Sequence, residues 1–399
     1  MNCPLVRAAN DLLNLIMTKP VYITASASFL PNAPVSNDQM EQVLGMIEGT
    51  PSRARAIVLR NNGIQQRHYA IDPATGWPSH SNARLTAEAV RALNAKGFDL
   101  NQLQVLCCGT SSPDQLVPSH AVMVHGELGH VPCELNSSAG ICTAGMAALK
   151  YAWLSVTSGN SQNAVATGSE QVSSYMHARN FNTESAHRVE ELQLRPEIAF
   201  EKDFLRWMLS DGAGALLLQD QPGQHGPSLR IDWIELVSHA HRAEACMYAG
   251  AEKAEDGKLT GWREFPPEEW LTRSLLAVKQ DVKLLNERIV ELTVEQTLPS
   301  IIARRGLHAR DYDWFLPHMS SEYFRPRLAA GLENCGFAIP PERWFTNLSE
   351  KGNTGSAAIY IMLDELFGSG RLQTGQRLLC FVPESGRFSS AFMQLTVVD

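Results

Sequence analysis

Ser138-Ala139-Gly140-Ile141-Cys142-Thr143-Ala144-Gly145 is a run of small residues around one cysteine, followed by an apolar-periodic stretch to about Thr157. Small residues and glycine ahead of such periodicity read as a tight turn opening a helix. The pattern therefore predicts a helix from Cys142 to about Thr157, with the thiol at its first residue. Outward from it, the spacing predicts a strand over Gln102 to Cys108, a helix near His120 to Leu128, a strand from Asn163 to Thr167 and another from Ala213 to Leu218. A strand at Val21 to Thr24 and a helix at Arg84 to Ala95 precede these. The segment between Thr167 and Arg206 has no regular period.

The second half repeats the order. A long helix is predicted across Leu275 to Gln296, a strand at Tyr312 to Leu316, and a helix near Arg327 to Asn334. The turn Lys351-Gly352-Asn353-Thr354-Gly355 then opens a helix to Leu366, and strands at Arg377 to Val382 and Ala391 to Val398 follow. Superposing the two orders aligns Cys142 with Asn353 and Gly109 with His318. The separations agree, 33 residues from Gly109 to Cys142 and 35 from His318 to Asn353. Two α/β repeats about a pseudo-twofold axis would bring these points together at the ends of their sheets. We divide the chain into an extension (residues 1–18, with an amphipathic stretch Val6 to Met17), a first half (19–222) carrying the cysteine, and a second half (223–399) carrying the histidine and asparagine.

Composition narrows the class. The 399 residues are 44% hydrophobic and 19% charged, a globular balance, and the net charge of -8 gives no footprint for general binding to nucleic acid or anionic membrane. No apolar run approaches the roughly 18 to 20 residues of a membrane span, and no signal-peptide pattern opens the chain. The 8 cysteines are scattered without CxxC spacing, which reads as reduced thiols in a cytoplasmic protein. Gly250 and Gly257-Lys258 miss P-loop spacing, Asp211-Gly212-Ala213-Gly214 lacks a third dinucleotide-site glycine, His239-Ala240-His241 with Cys246 fits no zinc pattern, and no G-x-S-x-G elbow occurs. Neither a cofactor nor a metal is expected.

A cysteine at a helix start meets unpaired N–H groups and the positive dipole end, which favour the thiolate that attacks thioesters. The Cys142 N–H is placed to donate to an oxyanion. His318, after Trp314-Phe315-Leu316-Pro317, would stand at a sheet end. Asn353 alone reads as a turn residue and helix cap. The three together carry the chemistry.

Ser138 to Gly145, Thr167-Gly168-Ser169-Glu170, Asp211-Gly212-Ala213-Gly214-Ala215, Leu316-Pro317-His318 and Lys351-Gly352-Asn353-Thr354 resemble, in order, the motifs of β-ketoacyl-acyl-carrier-protein synthase III, of the thiolase superfamily. Asn62-Gly63-Ile64-Gln65-Gln66-Arg67-His68 is similar to that family's early Thr-Gly-Ile-x-x-Arg segment. The resemblance runs from about Val21 to the C-terminus. It implies a duplicated five-layer αβαβα fold, a homodimer, and Claisen condensation through an acyl-enzyme. Cys142 would accept the acyl group, with an oxyanion hole from its own N–H and that of Gly386. His318 and Asn353 would stabilise the enolate of an extender carried on CoA or acyl carrier protein.

Where the family has Phe-Gly-Gly-Gly-Phe, this chain has Glu384-Ser385-Gly386-Arg387-Phe388. Glu384 is expected to replace an apolar wall and oppose decarboxylation of a malonyl extender, while Arg387 would hold a carboxylate or β-keto oxygen. Ser385 and Phe388 join these as pocket candidates. The departure resembles specialised relatives that join two acyl chains into dialkylresorcinol or cyclohexanedione products. An acidic carrier protein would dock on Lys283, Arg325 and Arg327, although Tyr323 stands where the family often has a basic residue. Rival functions are acyl transfer without condensation, which Asn353 disfavours; cysteine hydrolysis, whose papain-type C-G-S-C-W segment is missing; and an inactive partner subunit, which retention of Cys142 disfavours.

Overall fold

The computed structural model describes residues 19–52, 55–181, 205–224 and 226–399. The extension at residues 1–18 and most of the irregular segment before Arg206 lie outside these. Nine strands form one sheet: β1 (Tyr22–Phe29), β2 (Val105–Thr110), β3 (Glu134–Ala139), β4 (Asn163–Glu170), β5 (Gly212–Gln219), β6 (Ser228–Ser238), β7 (Trp314–Pro317), β8 (Arg377–Glu384) and β9 (Ser389–Val398). Their order is β7-β8-β9-β6-β1-β5-β4-β2-β3.

That order is a repeat. In the first half β2 lies parallel to β3 and β4, β4 is antiparallel to β5, and β5 is antiparallel to β1. In the second, β7 is parallel to β8, β8 antiparallel to β9 and β9 antiparallel to β6. The place of β3 is taken by a single parallel bridge between Phe315 and Trp344. The halves join where β1 meets β6 through Tyr22 opposite Arg230 and Ile23 opposite Leu229.

The principal helices are α1 (Asn82–Arg91), α2 (His120–Leu128), α3 (Ala144–Thr157), α4 (Val282–Val290), α5 (Leu298–Arg305), α6 (Arg325–Asn334) and α7 (Ala358–Gly368). Alternate residues of each strand feed different layers, as the two-residue period of a strand requires. On β8, Leu378, Cys380 and Val382 face a central core built with Met146 and Leu149 of α3 and Ile359 and Leu363 of α7. Leu379 and Phe381 face the opposite way, onto Leu298 and Ile301 of α5 and Leu328 and Leu332 of α6. On β2, Cys107 joins the central core while Leu106 and Cys108 meet Leu85 and Val90 of α1 and Val124 of α2. Helices, half-sheet, paired helices, half-sheet and helices thus make the five-layered, thiolase-like α/β architecture.

The two central helices start in backbone contact. A Cβ on Gly145 would fall 2.4 Å from the Ser356 carbonyl oxygen, and the Tyr360 hydroxyl donates to the Gly145 carbonyl at 2.7 Å. Ser356 Oγ donates to the Ser169 carbonyl at 2.9 Å. Only glycine permits so close an approach, and it brings the Cys142 turn against the Asn353 turn.

Three expectations change. The strands β3 and β6 were not expected; residues 137–140 read as turn, and β6 carries a bulge. The long helix expected over Leu275 to Gln296 is broken. Lys279 and Gln280 pair instead with Met247 and Tyr248. Helix α4 begins only at Val282, where the Asp281 carboxylate accepts from the Leu284 N–H at 2.9 Å. A π-turn at Glu291–Glu295 then separates α4 from α5. Among the described residues no helix is long and apolar enough to cross a membrane, and the seven described cysteines are free thiols.

Candidate active site

Cys142, His318 and Asn353 line one cavity. Its walls otherwise are mainly apolar, including Val172, Met208, Leu285, Ile289, Val294 and Phe324, and it encloses about 1370 Å³ of non-atom space, part of it open to solvent. Each of the three residues reaches it from a sheet end or helix start, the position from which the duplicated topology can converge side chains.

His318 follows β7 directly, and its N–H donates to the Phe381 carbonyl of β8 at 2.8 Å. The side chain is only 3% exposed, and burial without an opposing charge lowers its pKa to about 4. The imidazole is therefore neutral at neutral pH, with one ring N–H to donate. Asn353 is fixed by backbone bonds to Met208 and Ser210. Its Oδ1 accepts from the Gly355 N–H at 3.0 Å, an Asx turn that leaves Nδ2 as the group available to a ligand.

Cys142 precedes Thr143, the N-cap of α3, and keeps partial exposure to the cavity. The thiolate expected from the helix end is not favoured here. Burial, then the negative charges of Glu384 and Glu170, hold the thiol well above its ordinary pKa. The Glu384 contribution, second to burial, is visible at the helix start: Glu384 Oε2 accepts from the Ile141 N–H (3.0 Å), the Thr143 N–H (3.0 Å) and the Thr143 hydroxyl (2.5 Å).

Glu384 therefore caps α3 and does not wall the pocket, contrary to the sequence expectation; Pro383 and Ser385 line the cavity in its place. Arg387 is likewise turned away, its Nε donating to the Ala243 carbonyl at 2.6 Å. Phe388 is not a pocket residue either. It is buried with Cys246, Leu285, Ile289, Leu292 and Phe324, at a left-handed φ of 58°. Gly386 packs on Ile141, where a Cβ would approach within 3.0 Å. Among the described residues, no backbone group takes the N–H of Gly386 or of Cys142. Cys142 lines the cavity, whereas Gly386 is not among its lining residues, its neighbour Ser385 being there instead.

Sequence reasoning quoted Glu170 as part of a motif but gave it no place at the site. It lines the cavity with Ser111, nearly wholly buried. Ser111 Oγ (2.6 Å), Ser112 Oγ (2.8 Å) and the Ser356 N–H (3.2 Å) donate to it, and burial raises its pKa despite these bonds. Its position at the end of β4, next to the β2 end, was the available signal. Met247, Tyr248, Val278 and Gln280 also line the cavity, from a segment whose role depends on pairing across about thirty residues.

The basic candidates differ in standing. Lys283 is exposed on α4. Arg327, exposed on α6, donates to the Asn286 carbonyl and the Tyr323 hydroxyl, both uncharged. Arg325 is tied to Glu322 at 2.5 and 2.9 Å, which spends its charge locally.

Residues 302–389 match the family model of the 3-oxoacyl-[acyl-carrier-protein (ACP)] synthase III C-terminal domain, a span holding His318, Asn353 and Glu384. The β-ketoacyl-[acyl-carrier-protein] synthase III of Xanthomonas oryzae pv. oryzae is 25% identical over 367 residues, 91% of this chain and 95% of that protein. The chain is thus similar to β-ketoacyl-ACP synthases III over most of its length. The same enzyme of Methylococcus capsulatus is 25% identical over 370 residues, with the same coverage of both. Among solved structures, a Cys-to-Ser variant of Xanthomonas campestris OleA with bound lauric acid and lauroyl-CoA superposes with a TM-score of 0.70 at 19% identity, covering 95% of this chain and all of that one. AbyA1, a tetronic acid condensing enzyme, gives 0.69 at 22% identity, covering 94% and 99%. Both share the synthase III-like fold described above.

Proposed function

We propose that this synthase III-like chain is a ketosynthase that joins a Cys142-bound acyl group to a second thioester by Claisen condensation. The observation that carries it is the convergence of a thiol, a neutral imidazole and a free carboxamide N–H on one largely apolar cavity. In the first step the thiol sulfur attacks an acyl thioester carbonyl, the Cys142 and Gly386 N–H groups receive the oxyanion, and the thiol proton leaves with the departing CoA or carrier thiol. In the second, a malonyl extender loses CO2, and the electron pair of the broken C–C bond becomes an enolate whose oxygen takes hydrogen bonds from His318 and Asn353. The enolate carbon then attacks acyl-Cys142, and the C–S bond breaks to release a β-ketoacyl thioester and the Cys142 thiolate, which takes up a proton from water to return to the thiol. A β-ketoacyl extender would instead surrender a proton, for which buried Glu170 is the available carboxylate.

Glu384, bonded to the Ile141 and Thr143 N–H groups, does not bring its own charge to the cavity wall; the carboxylate that lines the cavity is Glu170. The apolar walls suit long acyl chains, a reading supported by the lauroyl ligand of OleA. The altered 384–388 turn and the likeness to AbyA1 support a specialised condensing role in fatty-acid or polyketide-type synthesis. Acyl-CoA and acyl carrier protein are the proposed donors, and a cytoplasmic homodimer the proposed form.

The test is intact mass after incubation with acyl-CoA and acyl-carrier thioesters. Wild type is expected to gain one acyl group and Cys142→Ala none. His318→Ala and Asn353→Ala are expected to load but not to condense. An adduct persisting in Cys142→Ala removes the assigned nucleophile.

A further inference from the structure

One carboxylate from the other half of the molecule holds the residues on both sides of Cys142 at the start of α3. Glu384, 8% exposed at the end of β8, places one carboxylate oxygen on two backbone N–H groups and one hydroxyl that flank Cys142 on either side. Thr143, the formal N-cap, makes no side-chain capping bond of its own. Unpaired N–H groups at a helix start carry about half a positive charge, which a neighbouring carboxylate neutralises. The same groups would otherwise stabilise a thiolate on the residue between them.

We propose that Glu384 is a positioning residue for the nucleophile: its carboxylate clamps the start of α3 from the opposite half and offsets the positive helix end that would otherwise activate Cys142. The thiol then stays protonated in the empty site and is protected from alkylation and oxidation until a thioester carbonyl lies between the Cys142 and Gly386 N–H groups. The elevated pKa of Cys142, caused by burial and by Glu384 and Glu170, agrees in direction. The other titratable groups lining the cavity are Glu170 at the end of β4, neutral His318 beyond β7, and Tyr248. Among the described carboxylates, only Glu384 engages the helix start itself. The inference rests on Cys142 being the nucleophile, as proposed above.

The experiment is the pH dependence of iodoacetamide alkylation of Cys142, read by intact mass against a Cys142→Ser control. Wild type is expected to react with an inflection above that of an ordinary thiol. Glu384→Gln removes the charge and keeps an acceptor, and is expected to lower the inflection by about one unit, or about tenfold faster alkylation at a fixed pH below it. Glu384→Asp keeps the charge and is expected to hold the wild-type inflection. If Glu384→Gln does not fold, Glu384→Phe is the second neutral variant, with the same expected shift. An unchanged or raised inflection in a folded neutral variant, or an equal shift in Glu384→Asp, overturns the proposal. Alkylation needs no acyl transfer, so failure here is distinct from absence of an acyl adduct, which would instead strike the ketosynthase reading.

Discussion

At the scale of single residues, the acid-base state of His318 makes the sharpest statement. Its folded pKa of about 4 lies below the 6.5 of a free imidazole because burial disfavours the cation. A histidine that must donate to an enolate oxygen as a neutral group should keep that ability down to about pH 5. The condensation rate of pre-acylated enzyme is thus expected to show its acidic limb near pH 4, and a limb near 6.5 would refute the neutral-donor role. The same shift is a stability statement. The unfolded chain takes up the proton below about 6.5 and the folded one does not, so the contribution is complete above 6.5 and is lost as pH falls through about 4. His120, also lowered to about 4 by burial, adds to this trend. Urea unfolding across pH 7 to 4 is expected to show stability falling by a few kcal/mol. Asn353 gives a complementary test. Asn353→Asp keeps the shape but presents an acceptor where a donor is needed, so condensation is expected to fall by roughly 10² to 10³. Acyl loading, measured by mass, is expected to persist.

At the scale of elements, the contact between α3 and the Asn353–Ser356 turn decides whether the site exists at all. Gly145→Ala would drive a methyl group into the Ser356 carbonyl, at 2.4 Å, and toward the Tyr360 ring, at 2.9 Å. Neither can retreat inside a close-packed centre, and a loss of about 1 to 3 kcal/mol is expected in urea denaturation. Gly126→Ala on α2, with nothing within 4 Å, is the control and is expected to gain up to about 1 kcal/mol from helix propensity. Equal behaviour of the two variants would show the close approach to be unimportant. These elements were legible because their signals are local: glycine turns before periodic apolar runs, and separations of 33 and 35 residues that betray the repeat. Strand β6 was not, for a physical reason. Its apolar positions Leu229 and Ile231 face the central core, but so do Ile234 and Leu236. A bulge shifts the register at Asp232, between Ile231 and Trp233, and breaks the alternation a strand should show. The direction of Glu384 was illegible for another reason, since its hydrogen-bond donors lie 241 and 243 residues away.

At the scale of the whole molecule, the question is how a chain of net charge -8 would receive an acidic carrier protein. Only a local excess of unpaired positive charge near the cavity mouth can do it, because charges beyond about one Debye length, ~8 Å at physiological salt, are screened. Helices α4 and α6 supply the candidates: Leu285, Ile289 and Leu328 line the cavity, while Lys283 and Arg327 stand exposed on the same two helices. Arg325 is excluded by its bidentate pairing with Glu322. Lys283→Glu with Arg327→Glu is therefore expected to raise KM for a carrier-borne acyl thioester about tenfold at low salt. That penalty should shrink as salt rises, and KM for a small acyl-cysteamine thioester should not move, because that substrate has no charged surface to dock. Equal losses on both substrates would place the damage in the cavity, and no loss on either would remove this face as the docking site.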